Sequence, residues 1–224
     1  MSMEPGQALE GDRSGTYLFW LPLGAGGFGF VRLNGRIYEA IKARREGRQA
    51  LDLYHTALEV RLPEGRFIVE NAWPSPDADI ASRGVTIEGP VFSRRLARYR
   101  SFRYEVRCWR DGVIADADEA VEVECLSRDA DRARQILELV VTVPTRVWGR
   151  EEPEVGEMWN SNSVISYLLA RSGMHPESIR PPAMGSAPGW RAGISAARSH
   201  RETDGPESER WSPPTENGRR PEVG

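Results

Sequence analysis

A histidine in one predicted strand and a serine at the start of a predicted helix could together perform nucleophilic catalysis. His55 lies in residues 54–60, a run of alternating polarity that is typical of a strand. The next strand-like run returns antiparallel and can bring Glu70 or Asn71 alongside the imidazole. An imidazole oriented by a carboxylate or an amide is the base of a catalytic triad. With Ser161 as the nucleophile, this set predicts attack on an amide or ester carbonyl.

The start of the helix predicted over residues 158–172 suits a nucleophile. Asn160 is a good N-cap, and Gly173 stands where a C-cap glycine is wanted. Ser161 therefore lies in the first turn, where the helix dipole and free backbone N–H groups favour an oxyanion. Ser163 is a second candidate nucleophile. It is the weaker one, because the residues three and four positions after it are polar or aromatic and fit a core-facing helix stripe less well.

The order of these segments resembles a known family. A strand histidine, a polar partner on the next strand and a helix beginning Asn-nucleophile-x-x-apolar-apolar are similar to the circularly permuted NlpC-type branch of papain-like enzymes, which includes lecithin:retinol acyltransferase and its relatives. Residues 160–165 match that family's Asn-Cys-x-x-Phe-Val helix start, and residues 54–60 match its histidine strand. The resemblance covers about residues 16–175. It implies a permuted papain-like fold and a hydrolase or acyltransferase activity.

The chain departs from that family at the nucleophile. Ser161 stands where the family has cysteine, and neither Cys108 nor Cys125 occupies an equivalent place. A serine hydroxyl is a much weaker nucleophile than a thiolate and depends fully on its base. Two alternatives therefore stay open: an inactive papain-like module that binds a ligand or partner, and an α+β domain with no enzymatic ancestry. Nothing in the sequence distinguishes a small-molecule, lipid or peptide substrate.

A glycine-rich stretch near the N-terminus imitates a nucleotide-binding motif. Residues 24–31 match the spacing G-x-G-x-x-G-x-V, and Lys42 follows in an Ala-Ile-Lys run, as in protein kinases. A kinase also needs the tripeptides His-Arg-Asp and Asp-Phe-Gly, and neither occurs in the chain. The dinucleotide fingerprint requires a helix after the glycines, whereas the pattern here predicts a strand. We therefore expect a tight turn and no nucleotide cofactor.

The histidines and cysteines do not indicate a metal site or a disulfide framework. The three histidines, His55, His175 and His200, are scattered and lack ligand spacing. Cys108 and Cys125 are the only cysteines, and their surroundings favour packing roles. The sequence thus predicts no cofactor of any kind.

Composition and charge limit the possible partners. A hydrophobic fraction of 39% and a charged fraction of 28% suit a globular protein in solution. The net charge of −3, with arginines interleaved among acidic residues, predicts no nucleic-acid partner. The apolar run of residues 17–23 is too short to span a bilayer, and no signal peptide precedes it. These features predict a cytoplasmic protein with no transmembrane segment.

The remaining pattern predicts an α+β domain. Predicted strands precede the predicted helices, which favours an antiparallel sheet with helices packed against it. The strand candidates are residues 17–23, 52–62, 66–72, 85–88 and 102–109, with a hairpin at 28–41 around Asn34-Gly35. The helices are predicted at 128–141 and 158–172.

The two ends of the chain lack the apolar content of this domain. Residues 1–15 predict a disordered arm, residues 16–184 one domain, and residues 185–224 a disordered tail rich in proline, glycine, serine and charge. Within the tail, Trp190 and Ile194 are the candidate anchors for local docking.

Overall fold

The fold is taken from a computed structural model of the chain. It describes residues 14–23, 39, 43–44, 47, 49–74, 84–114, 116–182 and 185–204. The glycine-rich stretch of residues 24–31 lies outside the described residues, and the hairpin predicted over residues 28–41 is described only at residue 39. Most of the predicted N-terminal arm also lies outside them.

A mainly antiparallel sheet forms the centre of the described chain. Its long strands are β1 (Gly15–Pro22), β2 (Asp52–Leu62), β3 (Gly65–Ala72), β4 (Val85–Pro90), β5 (Arg103–Arg110) and β6 (Glu122–Ser127). They lie in the order β4-β5-β3-β2-β1-β6, so that β2 is an interior strand. A separate ribbon joins β7 (Glu151–Glu152) to β8 (Glu157–Met158), and the short β9 (Gly185–Ser186) runs parallel to the start of β2.

Three helices whose bounds the structure describes pack beside the sheet: α1 (Ala130–Leu139), α2 (Ser161–Arg171) and α3 (Trp190–Asp204). Helices α1 and α2 contact β2, and α3 lies mainly against α2. This arrangement confirms the predicted α+β class. No helix among the described residues is long and apolar enough to cross a membrane.

The sheet has two differently covered faces, because successive side chains of a strand point to opposite sides. On the helix face, the core combines sheet residues Leu18, Trp20, Leu58, Val60, Val69 and Val106 with apolar residues of all three helices. On the other face, which we call the loop face, a smaller core contains Tyr17, Phe19, Leu21, Ala57 and Ile68. Residues of the segment 111–121, including Ile114 and Ala120, cover that second core.

The strand pattern of the sequence predicts most of the sheet but misses β6 and the short β9. The antiparallel pairing predicted between the strands at residues 52–62 and 66–72 is confirmed, with Leu62 paired to Gly65 across the turn. Strand β6, at residues 122–127, was not predicted. The first helix begins later than the predicted start at residue 128, because Asp129 caps it by accepting hydrogen bonds from the backbone N–H groups of Asp131 and Arg132.

The prediction of a disordered tail over residues 185–224 is wrong for residues 185–204. Residues 190–204 form α3, in which Trp190, Ala192 and Ile194 are buried. The Trp190 ring lies 5.5 Å from the ring of Trp20, within the core of the helix face. The polar composition misled the prediction, because alanines and glycines that are weakly hydrophobic still allow two helices to pack closely.

Candidate functional site

The start of α2 forms the N-terminal cap that the sequence predicts. The Asn160 side chain accepts a hydrogen bond from the Asn162 backbone N–H at 3.0 Å. The Ser163 hydroxyl in turn accepts one from the Asn160 backbone N–H at 3.1 Å. Together these bonds make a capping box, which satisfies donors that a helix start otherwise leaves free.

Asn162 joins this helix start to the central strand of the sheet. Its Oδ1 accepts a hydrogen bond from the Thr56 hydroxyl at 3.0 Å. Its Nδ2 donates to the backbone carbonyls of Tyr54 and Pro188, both at 2.9 Å. Thr56 and Asn162 are 1% and 2% exposed. The contact between α2 and β2 is therefore a closed amide–hydroxyl pair, with no room for a substrate between the two side chains.

The serines of α2 hold α3 in place. The Ser163 hydroxyl donates to the Gly189 carbonyl, and the Ser166 hydroxyl donates to the Trp190 carbonyl, both at 2.7 Å. The helices approach so closely that a Cβ added at Gly193 would lie 2.0 Å from the Ser163 carbonyl oxygen. Ser163, the second candidate nucleophile, is thus fully occupied in helix packing.

Ser161 is the first residue of α2 and is largely buried, with 9% of its surface exposed. Among the described residues its hydroxyl has no hydrogen-bond partner. The serine lies at the helix start, as predicted, and no residue that the structure describes is hydrogen-bonded to it as a base.

His55 lies on the opposite side of the sheet from that helix. Thr56 and Tyr54, its neighbours in β2, face α2, so alternation directs His55 to the loop face. There its Nε2 lies 2.9 Å from Oδ2 of Asp116, with 24% and 9% of the two side chains exposed. Because His55 and Thr56 point to opposite faces of β2, the strand backbone lies between the imidazole and the helix start that carries Ser161. The structure does not bring the predicted nucleophile and base together.

Of the two candidates for the orienting residue, Glu70 lies on the same face as His55, near enough to interact electrostatically with the imidazole and with Asp116, whereas Asn71 does not. Glu70 shares the loop face with Ile68 and lies 3.5 Å from Arg107, and burial raises the pKa of its carboxyl group. Asn71 points to the other face, in register with the core residue Val106. The carboxylate that contacts His55 is Asp116. It comes from an irregular segment with no periodic signal, so the sequence pattern gave no reason to select it.

The loop face carries further buried carboxylates, and arginines neutralise them. Glu105 is fully buried and lies 2.9 Å from Arg107. Glu59, 2% exposed, contacts Arg66 at 3.0 Å. Arg66 also donates to the carbonyl oxygen of Gly112 at 2.6 Å, which ties the covering segment to the sheet. Since a buried charge is costly unless it is paired, these contacts are needed to hold the face together.

A groove of about 750 Å³ runs along α3 and is bordered by the loops around residues 154 and 177. Trp190 and Ile194 form part of its floor. Its charged rim is internally paired, as between Arg198 and Glu177 at 2.9 Å. The groove is open and mixed in polarity, and none of the predicted site residues lines it.

The other sequence candidates are also placed. In the part of the chain that the structure describes, no group of three or more histidine, cysteine, aspartate and glutamate side chains could hold a metal ion. Trp73 and Trp148 lie with ring centres 5.7 Å apart and pack on each other.

Comparisons with protein-family models, curated proteins and solved structures found no match to this chain.

Proposed function

We propose that this chain is a binding domain that performs no acyl transfer at the start of α2. The observation that carries the proposal is the buried hydrogen bond between Thr56 and Asn162. It occupies the contact between helix start and strand at which a nucleophile and its base would have to meet.

The surrounding chemistry supports this conclusion. A serine nucleophile requires a base within hydrogen-bond reach, either directly or through one water. Ser161 has none among the described residues, and His55 lies across the sheet. The polar side-chain atoms at the start of α2 form hydrogen bonds that cap the helix and hold α3 in place; these side chains are Asn160, Asn162 and Ser163. The polar residues at the start of α2 therefore have a structural role, which is to cap the helix and to hold α3. The resemblance to permuted papain-like enzymes stays a prediction of the sequence motifs.

The test is a fluorophosphonate probe followed by mass spectrometry of the Ser161 peptide, together with a panel of ester and amide substrates. We expect no labelling above that of the Ser161→Ala variant and no turnover. Labelling of Ser161 that the His55→Ala substitution abolishes would overturn the proposal and restore the hydrolase hypothesis.

A second candidate function is hydrolysis on the loop face, and one observation favours it. The 2.9 Å contact between His55 and Asp116 orients a partly exposed imidazole with a carboxylate, which is how a general base for water is built. This function predicts turnover that His55→Gln and Asp116→Asn abolish and Ser161→Ala leaves unchanged. Activity that is insensitive to both loop-face substitutions would exclude it.

A further inference from the structure

A short segment between β4 and β5 concentrates exposed positive charge and exposed aromatic rings. Residues 89–104 contain five arginines and no acidic residue. We call five of its exposed residues the arginine–aromatic surface: Phe92, Arg94, Arg95, Arg98 and Tyr99. It follows β4, the edge strand of the sheet, whereas His55 lies on the interior strand β2.

Three guanidinium groups of this surface are available to a partner. Arg94, Arg95 and Arg98 are exposed, and none of them forms an ion pair with any residue that the structure describes. Elsewhere in the described chain, arginines such as Arg107 and Arg134 contact carboxylates at 2.9 Å. An uncompensated group of three guanidinium groups creates a local field that attracts anions.

The two aromatic rings are held out in solvent. Phe92 is 68% exposed and Tyr99 is 51% exposed. Phe92 also has a φ of 58°, a left-handed backbone conformation that is strained for a bulky residue. The Arg98 guanidinium carbon lies 4.7 Å from the centre of the Tyr99 ring, which is a cation–π contact.

The segment is preorganised by backbone contacts. The Phe92 N–H donates to the Trp148 carbonyl at 3.1 Å, which anchors one end. Arg103 donates to the Ala97 carbonyl at 2.6 Å and contacts Glu88 at 3.1 Å, which fixes the short 3₁₀ turn of residues 96–98. A fixed surface binds its partner with a smaller loss of conformational entropy.

We propose that the arginine–aromatic surface binds single-stranded nucleic acid. Arg94, Arg95 and Arg98 contact phosphates, and the rings of Phe92 and Tyr99 stack on bases. Guanidinium groups free to contact phosphates and exposed rings are the two elements that sequence-tolerant single-strand binding requires. This inference supplies a partner for the binding function proposed above. It rests on different residues, so either proposal can fail without the other.

The geometry favours a single strand over an anionic membrane. A membrane-surface helix needs a long continuous apolar face, whereas the helical turns here, at residues 96–98 and 100–102, are three residues long. The two exposed rings are also separated by arginines, which suits alternating phosphates and bases. The net charge of −3 argued against nucleic acid, but it is an average over the chain and hides this local surface.

The experiment measures fluorescence anisotropy of a labelled 12-nucleotide oligouridylate titrated with the full chain from 50 to 200 mM salt. With three phosphates neutralised, we expect the dissociation constant to rise about 20-fold over this range. The triple variant Arg94→Gln/Arg95→Gln/Arg98→Gln should lose the salt dependence and most of the binding. The matched control is Arg128→Gln/Arg132→Gln/Arg191→Gln, which removes the same charge from exposed positions elsewhere and should bind as the parent does.

The rings are tested by substitutions that keep the segment folded. Phe92→Asn suits the left-handed backbone, and Tyr99→Leu keeps apolar surface while removing the flat ring. Each should weaken binding at least about 5-fold, with thermal unfolding unchanged or improved. Vesicles containing phosphatidylserine form the competing arm. No binding of the oligonucleotide, equal loss in the control triple variant, or vesicle binding that Tyr99→Leu retains would each overturn the proposal.

Discussion

The side-chain amide of Asn162 fixes the start of α2 against the sheet. It accepts from Thr56 and donates to two backbone carbonyls, so all its polar atoms are used in packing. Its neighbour Ser161, one position earlier, has no such contact among the described residues. The serine that the sequence predicts as a nucleophile therefore makes fewer side-chain contacts that hold the fold than its neighbour does.

This contrast gives a stability prediction. Asn162→Ala leaves the buried Thr56 hydroxyl and Tyr54 carbonyl without a partner, which should lower the free energy of unfolding by about 2–4 kcal/mol. Ser161→Ala is the matched control and should change it by less than about 0.5 kcal/mol. Urea unfolding followed by fluorescence measures both. Equal losses would show that the Asn162 bonds are not formed.

The two cysteines should differ sharply in reactivity. Burial raises the pKa of the Cys108 thiol to about 11, whereas Cys125 is exposed. At pH 8 only about one part in a thousand of Cys108 is thiolate, the reactive form. Iodoacetamide should therefore modify Cys125 first in the folded protein, as measured by peptide mass spectrometry. Denaturation should remove the difference, and faster labelling of Cys108 in the native state would contradict the structure.

At the scale of elements, α3 is the least expected part of the fold. It follows a polar, proline-rich stretch, yet it is the element that lies most closely against α2. Gly193 allows this approach, because its missing side chain leaves room for the Ser163 carbonyl. The serines of α2 then meet backbone carbonyls at residues 189 and 190. The two helices thus pack through specific contacts between individual residues.

Adding a single methyl group at Gly193 should disturb the packing of α3 against α2. Gly193→Ala places a Cβ 2.0 Å from the Ser163 carbonyl oxygen, a backbone atom that cannot turn aside. We expect the free energy of unfolding to fall by about 1–3 kcal/mol, although alanine favours helix formation. Arg191→Ala, on the exposed side of α3, is the control and should be neutral or slightly stabilising. Thermal unfolding compares the variants, and a more stable Gly193→Ala would show that α3 does not pack here.

At the scale of the whole molecule, charge is unevenly distributed. Acidic side chains on the loop face are buried in arginine pairs, for example Glu59 with Arg66 and Glu105 with Arg107. The surface between β4 and β5 instead leaves guanidinium groups without carboxylate partners among the described residues. A protein with a net charge of −3 can therefore present a cationic surface.

This asymmetry predicts behaviour on a polyanionic matrix. Despite its pI of about 5.8, the protein should be retained on heparin at pH 7.5 and 50 mM salt. The triple variant at Arg94, Arg95 and Arg98 should elute earlier than the control triple variant, which has the same net charge. Co-elution of the two variants would mean that net charge alone governs retention.

Sequence alone determined the features that depend on neighbouring residues. The alternation of residues 52–62 and 66–72 predicted that these strands pair, because strand periodicity and turn chemistry are local. Asn160 predicted the start of α2, because a cap is satisfied within three residues. The mixed pattern likewise predicted the α+β class.

Only the tertiary structure decided which side chains meet. His55 and Thr56 differ by one position, and that difference places one on the loop face and the other against α2. Which face of the sheet α2 covers depends on how the chain crosses the sheet, and the local sequence pattern carries no information about that crossing. The same is true of Asp116 and of α3, whose contacts lie far away in the sequence. Local periodicity specified the elements, and their packing decided that the nominated serine and histidine stay apart.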